Sequence, residues 1–323
     1  MLNLLREVSP RLHIVAFSAQ KPEELPADLL NKAEVYYTDR VLPDPTLMPN
    51  LRWLQFHFSG IDYALDTPLV QKPDLMVTTI SGAPVPQMSE YAVMMMLALG
   101  HKIPEIAANQ AKAEWPNDRW ERFSPVELHG STVAIIGYGS IGREIARLLH
   151  PYQANVLAVK RDVMRPQDNG YTRPGLGDPN GDFFTRLYPL QALISVLKES
   201  DFVVVTLPLT PATRGLIGAA EIGAMKPGAY LVAIGRGGVI DQNVLLSALQ
   251  ERRLGGAALD VFTEEPLPAS NPLWRLPSVI VTPHIAGISP HYKQRAVELF
   301  AENLRRYSAG EVLLNRFDTQ RGY

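Results

Sequence analysis

The chain contains no cysteine among its 323 residues. Disulfide bonds, thiolate metal sites and a cysteine nucleophile are therefore excluded together, although this absence does not fix the compartment. Charge of one sign is also lacking, because 31 basic and 33 acidic residues leave a net charge of −2. Proteins that bind nucleic acids or membrane surfaces commonly have an excess of basic residues, and this sequence has none. We expect neither nucleic acid nor a membrane as a partner, and we predict no metal site.

Long apolar runs are missing as well. The longest strongly apolar stretch, residues 92–99, is far shorter than a membrane-spanning helix. The first ten residues, MLNLLREVSP, are interrupted by Arg6 and Glu7 and lack the small-residue cleavage site of a secretory signal. These features predict a soluble, cytoplasmic protein.

Short β-branched runs alternate with helix-length segments along the whole chain. Because 323 residues exceed the size at which one hydrophobic core stops growing, two domains are expected. Continuous apolar runs of this length predict buried strands of parallel sheets with helices on both faces. The predicted strands are residues 13–17, 35–37, 53–57, 77–80, 133–136, 155–159, 202–207, 229–233, 257–259 and 279–282.

Two helices and one irregular segment stand out within this alternation. Apolar residues recur at helical spacing from Ile141 to Leu149, which predicts a helix ended by Pro151. A second helix is predicted from Pro86 or Gln87 to residue 99. Residues 165–182, here called the insertion, contain four glycines, three prolines, two asparagines and three aspartates. Such a composition favours turns, so the insertion is predicted as a loop between the second and third strands of the second half.

A glycine-rich motif joins the predicted strand 133–136 to the helix that follows it. Its spacing is the G-x-G-x-x-G of dinucleotide-binding loops, in the strand-to-helix context that such loops require. The first glycine permits a tight turn, the second lets the backbone approach a pyrophosphate, and the third lets helix and strand pack closely. The motif predicts dinucleotide binding, with a tight turn that holds no ligand as the alternative. It consists of Gly137, Tyr138, Gly139, Ser140, Ile141 and Gly142.

Two cations follow the next predicted strand, where dinucleotide-binding folds distinguish NAD from NADP. Lys160 lies 23 residues after Gly137, and Arg161 and Asp162 come next. An acidic residue at this place accepts hydrogen bonds from the ribose of NAD, whereas Lys160 and Arg161 would pair with a 2′-phosphate. The two cations therefore favour NADP. NAD stays open because Asp162 would reach a ribose in a shifted register, and a solvated pair of strand-end cations is the third interpretation.

Several blocks of the second half share an order and spacing with one enzyme family. From Phe202 the sequence runs FVVVTLPLTPATRGLIGAAEIGAMKPG and AYLVAIGRGGVIDQNVLLSAL, followed by GGAALDVFTEEPL, NPLW and VIVTPHIAG. Together they resemble the D-isomer-specific 2-hydroxyacid dehydrogenases, in particular the glyoxylate/hydroxypyruvate reductase-like members. The similarity extends from about Val77 to Gly322-Tyr323, with weaker echoes at residues 59–62.

The resemblance implies an α/β fold with two flavodoxin- or Rossmann-like, doubly wound parallel-sheet domains and a cleft between them. A discontinuous catalytic domain would comprise residues 1–100 and 287–323, and a dinucleotide-binding domain would comprise residues 101–286. The midchain position of the glycine loop fits this layout. The resemblance also implies a homodimer formed through the cofactor domain.

Three residues match the reacting groups of that family. Arg236 lies between glycines after a predicted strand, and its planar guanidinium can bind a carboxylate through two hydrogen bonds. His284, in Thr-Pro-His-Ile-Ala-Gly, matches the family's acid/base, because histidine exchanges a proton close to neutral pH. Glu265 matches the family's D-V-F-x-x-E-P-L motif and would orient the imidazole and keep it charged, whereas neighbouring Glu264 would be solvated.

Further site residues follow from the same resemblance. Asp260 would lie near the nicotinamide carboxamide, and backbone N–H groups around Ser59, Gly60 and Ile61 would bind the substrate carboxylate together with Arg236. The remaining predicted cofactor contacts are Leu207, Pro208, Thr213, Ile234, Gly235, Arg236, His284, Ala286 and Gly287.

The sequence therefore predicts a nicotinamide-dependent oxidoreductase with a preference for NADPH. It would transfer a hydride between the cofactor and a small 2-keto or 2-hydroxy acid of D configuration, such as glyoxylate or hydroxypyruvate. Two alternatives stay open: a non-enzymatic nucleotide-sensing regulator that resembles this family, and a phosphite-type dehydrogenase with the same triad. Formate dehydrogenases of similar sequence have an amide where Glu265 stands, which argues against that activity.

Overall fold

The computed structural model describes residues 1–168, 170–318 and 322. Asn169 in the predicted insertion and Tyr323 at the predicted end of the catalytic domain lie outside the described residues. The contacts divide the chain into two units, Met1–Pro84 with Ser289–Tyr323, and Val85–Ile288. The boundary expected after residue 100 therefore falls one helix later than the division in the structure, because the helix Val85–Gly100 packs against strands of the second unit.

The regular elements are short and follow one another closely. The strands are β1 (Val35–Thr38), β2 (Trp53–Phe56), β3 (Met76–Thr78), β4 (Thr132–Ile136), β5 (Asn155–Val159), β6 (Arg186–Tyr188), β7 (Phe202–Val205), β8 (Tyr230–Ala233), β9 (Gly256–Leu259) and β10 (Val279–Val281). The α-helices are α1 (Leu2–Arg6), α2 (Ala27–Lys32), α3 (Val85–Gly100), α4 (Ile103–Ala111), α5 (Arg119–Arg122), α6 (Ser140–Leu149), α7 (Leu193–Glu199), α8 (Ala219–Ala224), α9 (Gln242–Gln250) and α10 (Tyr292–Ala309). In the part of the chain that the structure describes, no helix combines the length and the apolar character needed to cross a bilayer.

The first unit is built on a parallel sheet of three strands in the order β1-β2-β3. Side chains of the central strand alternate between its faces, as the two-residue period of a strand requires. Trp53 packs with α1 and α10 on one face, and its indole N–H donates to Thr78 Oγ1 at 2.7 Å. Leu54 and Phe56 pack into the core on the other face. Both faces are thus covered, as expected for a parallel sheet.

The prediction of a strand at residues 13–17 is wrong. The structure assigns no strand there, and Val15 and Phe17 are 50% and 53% exposed. An apolar run becomes a buried strand only where neighbours cover both of its faces, and this run has no such cover. The other predicted strands are present, and their ends differ from the predicted ones by two residues at most. The three-residue edge strand β6 was not predicted, because its sequence is too short to show a period.

The second unit contains a seven-stranded parallel sheet in the order β10-β9-β8-β7-β4-β5-β6. Within this sheet, β4 is the first strand along the chain, and β5 and β6 follow on one side of it. The next strand, β7, pairs with the other side of β4, which makes the sheet doubly wound. Helices α3 and α6 contribute to the apolar core on one face, and α7, α8 and α9 to that on the other. The predicted α/β class with two parallel sheets is confirmed. The insertion lies between β5 and β6 and is irregular in its described part.

Candidate active site

The predicted triad follows three neighbouring strands of the seven-stranded sheet. Arg236 comes after β8, Glu265 after β9 and His284 after β10, and these strands are adjacent and parallel. The carboxyl ends of parallel strands meet at one edge, which is where open α/β sheets bind their ligands. The glycine loop leaves β4 at the same edge, so the fold gathers both predicted features at one place.

His284 and Glu265 form a direct pair. The imidazole Nδ1 lies 2.7 Å from Glu265 Oε2, and Glu265 Oε1 accepts a hydrogen bond from the backbone N–H of Phe262 at 2.9 Å. One carboxylate therefore holds both the histidine ring and the backbone of its own turn. Because Nδ1 is bound, Nε2 is the ring atom that remains to meet a substrate. Both side chains are partly open to solvent, at 43% and 35% exposed.

Close packing of backbone brings the Arg236 loop to the Glu265 turn. A Cβ on Gly237 would lie 1.8 Å from the carbonyl oxygen of Phe262, so only glycine permits this approach. Phe262 is the residue whose N–H binds Glu265. Arg236 is half-buried, and its Nη1 donates to the Gly235 carbonyl at 2.9 Å. The arginine, the glutamate and the histidine are thus linked through directly touching segments.

Asp260 is buried and holds the segment that carries His284. Its Oδ1 accepts hydrogen bonds from the Thr282 hydroxyl at 2.7 Å and the Ile285 N–H at 2.8 Å, and its Oδ2 accepts one from the Ala286 N–H at 2.9 Å. A buried carboxylate with three donors is well satisfied. The structure therefore gives Asp260 a role in fixing residues 282–286. Its predicted place near the carboxamide stays a prediction.

Tyr91 and Thr282 support this segment and were not singled out in the sequence. The Tyr91 hydroxyl lies 2.5 Å from Thr282 Oγ1, and the two residues are 191 positions apart. Burial raises the pKa of Tyr91 to about 12, so its hydroxyl stays protonated and can donate. Thr282, as the last residue of a predicted strand, carried a weak signal. Tyr91 carried none, because nothing local marks a contact over such a separation.

His284 has an unusual backbone conformation for its residue type. Its φ of +53° lies in the left-handed region, which costs a residue with a side chain about 1–3 kcal/mol and persists only where surrounding contacts offset that cost. The bonds from Asp260 to Ile285 and Ala286 supply that support on one side. The strain places the imidazole at the Glu265 carboxylate and is a feature of a built site.

The glycine loop fits a bound pyrophosphate. Gly137 has a φ of +112°, and a Cβ there would lie 2.6 Å from Thr206 Oγ1. A Cβ on Gly142 would lie 2.3 Å from the Gly137 carbonyl oxygen, so this position is closed by packing. A Cβ on Gly139 would meet no atom within 4 Å. The first and third glycines thus serve the fold, whereas the second faces open space at the amino end of α6, where a phosphate is favoured.

The loops after β7 and β8 pack against each other beside the glycine loop. A Cβ on Gly235 would lie 2.4 Å from the Leu207 carbonyl oxygen, and Ile234 is buried. Thr213 Oγ1 donates to the Pro208 carbonyl at 2.6 Å and so closes the turn that follows Leu207. Thr206, which was not predicted, donates from Oγ1 to the Gly137 carbonyl at 2.7 Å and supports the glycine loop.

The other predicted cofactor residues follow β10 and β5. Ala286 is buried, and the carbonyl of Gly287 accepts a hydrogen bond from Gln87 Nε2 at 2.8 Å. Lys160 follows β5 and donates to two carbonyl oxygens of the insertion, whereas the side chain of Arg161 is exposed.

Ser59, Gly60 and Ile61 follow β2 in the first unit. Ser59 Oγ is buried and has no hydrogen-bond partner within the described residues, and Ile61 is buried. Neighbouring His57 is held by the Tyr37 hydroxyl at Nδ1 and by the Tyr292 hydroxyl at its carbonyl oxygen. Burial lowers the pKa of His57, which favours the neutral ring and a structural role. The substrate contacts of Ser59, Gly60 and Ile61 stay a prediction.

Comparison with known proteins gives one family. Residues 93–286 match the sequence model of the D-isomer specific 2-hydroxyacid dehydrogenase NAD-binding domain. The glyoxylate reductase of Thermofilum pendens is 33% identical over 266 residues, which are 82% of this chain and 74% of that protein. The D-3-phosphoglycerate dehydrogenase of Methanocaldococcus jannaschii is 32% identical over 79% of this chain, but the chain spans only 45% of its length.

Solved structures of this family share the fold. A D-isomer specific 2-hydroxyacid dehydrogenase of Xanthobacter autotrophicus, in complex with NADPH, matches with a TM-score of 0.82 and 29% identity, covering 100% of this chain and 95% of that one. An NADPH-dependent glyoxylate/hydroxypyruvate reductase of Sinorhizobium meliloti, in complex with NADP, matches with a TM-score of 0.74 and 27% identity over 90% and 87% of the two chains. The resemblance seen in the sequence is confirmed: the chain belongs to the D-isomer specific 2-hydroxyacid dehydrogenase family and is an NAD(P)-dependent oxidoreductase.

Proposed function

We propose that this enzyme is an NADPH-preferring reductase of a small 2-keto acid such as glyoxylate or hydroxypyruvate, acting through Arg236, Glu265 and His284. The observation that carries the proposal is the His284–Glu265 pair at 2.7 Å, joined through Phe262 to the Arg236 loop. Relatives support the substrate class, since a 33% identical protein is a glyoxylate reductase.

Substrate binding falls to Arg236. Its guanidinium offers a planar pair of donors that matches a carboxylate, and a further N–H can polarise the adjacent carbonyl. Holding the acid by its carboxylate fixes the carbonyl carbon in position for hydride transfer. The reduced nicotinamide supplies the hydride when it is bound.

The proton comes from His284. With Nδ1 facing Glu265 Oε2, the doubly protonated ring presents Nε2–H to the carbonyl oxygen and donates as the alkoxide charge develops. Glu265 stabilises the charged ring and fixes its orientation. In the oxidative direction the neutral ring takes the hydroxyl proton at Nε2.

A substitution at His284 tests this assignment. His284→Gln keeps a polar side chain but cannot carry the proton, so kcat for keto-acid reduction should fall by about 10²–10⁴-fold. NADPH binding, followed by nicotinamide fluorescence, should survive. The substrate panel should contain glyoxylate, hydroxypyruvate and larger 2-keto acids, each with NADPH and with NADH. Near-normal turnover of the variant would contradict the role of His284, and a wild-type protein that oxidises neither cofactor with any acid would contradict the proposed function.

We propose different roles for the two units, cofactor binding for the second and substrate binding for the first. The open glycine cradle and all three reacting residues belong to the second unit, which supports its role as the dinucleotide-binding domain. The first unit, with Ser59, Gly60 and Ile61, would be the catalytic or substrate domain. We also propose that the enzyme is located in the cytoplasm, where NADPH is available. Cell fractionation tests this location.

A homodimer is the oligomeric state that we propose. Several large apolar side chains of the second unit are exposed between α3 and β4, among them Trp115 at 83%, Trp120 at 77% and Ile103 at 50%. Where exposed apolar side chains form a contiguous patch, that patch is a feature of interaction surfaces, and the shared segment of these residues supports the proposal. A second copy is the occupant that the family resemblance favours. Light scattering should give the mass of two 35.8 kDa chains, and Trp115→Ser with Trp120→Ser should give one.

A further inference from the structure

Tyr138 stands between the first two glycines of the glycine loop, yet its side chain is only 2% exposed. The ring packs edge-on against Phe184, with the centroids 5.5 Å apart, and the guanidinium of Arg143 lies 4.8 Å from the centroid of the Tyr138 ring. The hydroxyl donates to Asp178 Oδ2 at 2.6 Å, and burial raises the pKa of Tyr138, which keeps the hydroxyl protonated. The side chain therefore contacts the insertion, and the backbone of Tyr138 is what remains to face a dinucleotide.

The backbone of the glycine loop is held at the same residue. The N–H groups of Gly137 and Tyr138 both donate to the carbonyl oxygen of Val159, the last residue of β5, at 3.1 Å. A loop with three glycines among six residues loses much conformational freedom when it becomes ordered. An anchored side chain within the loop lowers that cost before a ligand arrives, so the same ligand contacts give a higher affinity. Tyr138 is thus placed to order the loop in advance.

Asp178 is the partner of Tyr138 on the insertion, and it is 1% exposed. Three backbone N–H groups of its own turn donate to its carboxylate, those of Gly181, Asp182 and Phe183. The Tyr138 hydroxyl is the fourth donor, which leaves this buried carboxylate well satisfied. Because three of the donors belong to the turn itself, the turn keeps most of its support when the tyrosine hydroxyl is removed. The bond to Tyr138 can therefore be broken without unfolding the insertion.

The insertion is in turn held by two buried charged residues of α6. Arg143 is 2% exposed and donates to the carbonyl oxygens of Pro166 and Asp178. Glu144, also 2% exposed, accepts a hydrogen bond from the Gly177 N–H. Removing such partners from buried charges is costly, so these contacts fix the insertion against the helix that the glycine loop opens. Asp178 therefore presents its carboxylate to the glycine loop from a well-anchored segment.

We propose that Tyr138 and Asp178 are positioning residues of the cofactor site, through which the insertion holds the glycine loop in the conformation that binds a pyrophosphate. Because NADH and NADPH share the pyrophosphate, this link raises the affinity for both and does not depend on the proposed NADPH preference. The proposal rests on the proposed role of the glycine loop as the cofactor cradle. Coupling between two sites is reciprocal, so a bound dinucleotide also stabilises the insertion.

Three variants and two matched controls test the link. Tyr138→Phe removes the hydroxyl and keeps the packed ring, Asp178→Ala removes the acceptor, and the double variant combines both. Tyr152→Phe makes the first substitution in the turn just after α6, and Asp182→Ala removes an exposed carboxylate of the insertion. Binding of NADPH and NADH to the full chain is followed by nicotinamide fluorescence, and thermal melts without cofactor report on the fold.

Tyr138→Phe should weaken the binding of NADPH and NADH alike by about 5- to 20-fold, because part of the value of a hydrogen bond to a charged group appears as ordering of the loop. Asp178→Ala should weaken both at least as much. The double variant should bind like Asp178→Ala alone, since the two substitutions break one link. At saturating cofactor kcat should not fall, because the reacting residues follow other strands. Both controls should bind like the wild type.

Hydrogen–deuterium exchange tests the reciprocal effect. In the wild type, NADPH should slow exchange at the amides of Gly177 and Gly181 more than it slows exchange in α9, which packs on the opposite face of the sheet and reports the general stabilisation by a ligand. This extra protection should be lost in Tyr138→Phe and kept in Tyr152→Phe. A purely structural role of Tyr138 would change the melting temperature but not the response of the insertion to NADPH.

Three results would overturn the proposal: a Tyr138→Phe variant that binds both cofactors like Tyr152→Phe, protection of the insertion that persists in Tyr138→Phe, or a loss of affinity confined to NADPH. Gly139→Ala separates the link from the cradle. If Gly139→Ala leaves both affinities unchanged, the cradle is rejected and the proposal with it. If Gly139→Ala weakens binding and Tyr138→Phe does not, only the link is rejected.

Discussion

Glu265 carries two hydrogen bonds with two different consequences. The bond from the Phe262 N–H fixes the carboxylate, and the bond to His284 Nδ1 fixes the ring. The sequence placed both residues through the spacing of family motifs. It did not show that Phe262 also abuts Gly237, because that contact joins loops after different strands. Motif residues are local signals, whereas the contacts that orient them are made in the folded chain.

Removing the charge of Glu265 should slow catalysis without disturbing cofactor binding. Glu265→Gln leaves a side chain of nearly the same shape, but the carboxylate that stabilises the protonated ring is lost. We expect kcat for keto-acid reduction to fall by about 10- to 100-fold, as for a hydrogen bond to a charged group. Steady-state kinetics and NADPH fluorescence titration measure the two effects.

Glu264→Gln is the matched control for this substitution, since Glu264 is the exposed neighbour on the same turn. It should leave kcat unchanged. Equal losses in the two variants would show that the turn tolerates no amide at all, and the role of Glu265 would then lose its support.

At the scale of elements, the strand-glycine loop-helix unit of β4 and α6 was predicted almost completely. Strand period, glycine spacing and the apolar face of the helix are all local properties of the sequence. The attachment of the insertion to α6 was not predicted, because it depends on hydrogen bonds of Arg143 and Glu144 with residues that lie 33 to 35 positions away. In the sequence those two residues were polar positions on an amphipathic helix. Tertiary contacts turned them into buried anchors.

The second and third glycines of the loop should respond differently to a methyl group. In Gly139→Ala the new Cβ has open space, so the melting temperature without cofactor should stay near that of the wild type. The same Cβ would occupy the path of the pyrophosphate, and NADPH binding should weaken by at least about tenfold. In Gly142→Ala the Cβ would lie 2.3 Å from a carbonyl oxygen, and the free energy of unfolding should fall by about 1–3 kcal/mol or more.

Thermal melts without cofactor and fluorescence titrations with NADPH separate the two outcomes. A Gly139→Ala protein that binds NADPH as tightly as the wild type would argue against a ligand at the second glycine. Unchanged stability in Gly142→Ala would argue against the close packing of helix on strand.

On the scale of the whole molecule, the parallel α/β class and the family were predicted from the sequence, whereas the sequence did not show which unit the helix before residue 100 packs with. The helix Val85–Gly100 gives no local sign of the sheet that it covers, since its apolar residues would suit either unit. The wrong prediction of a strand at residues 13–17 has the same cause, because whether neighbouring elements bury an apolar segment depends on the fold and not on the local sequence. Composition and hydrophobic period identify helices and strands, but long-range packing decides to which unit each of them belongs.

The second unit should fold and bind cofactor by itself. Residues 85–288 are continuous, form a seven-stranded sheet covered on both faces, and contain the glycine cradle and the triad with the bonds that hold them. A fragment of these residues should therefore melt in one cooperative transition and bind NADPH within about tenfold of the full chain. It should turn over no keto acid, because Ser59, Gly60 and Ile61 are absent. The same fragment with Gly139→Ala should fold but lose NADPH binding, which separates folding from ligand binding. An unfolded wild-type fragment, or one that reduces keto acids at the rate of the full chain, would contradict this division of labour between the two units.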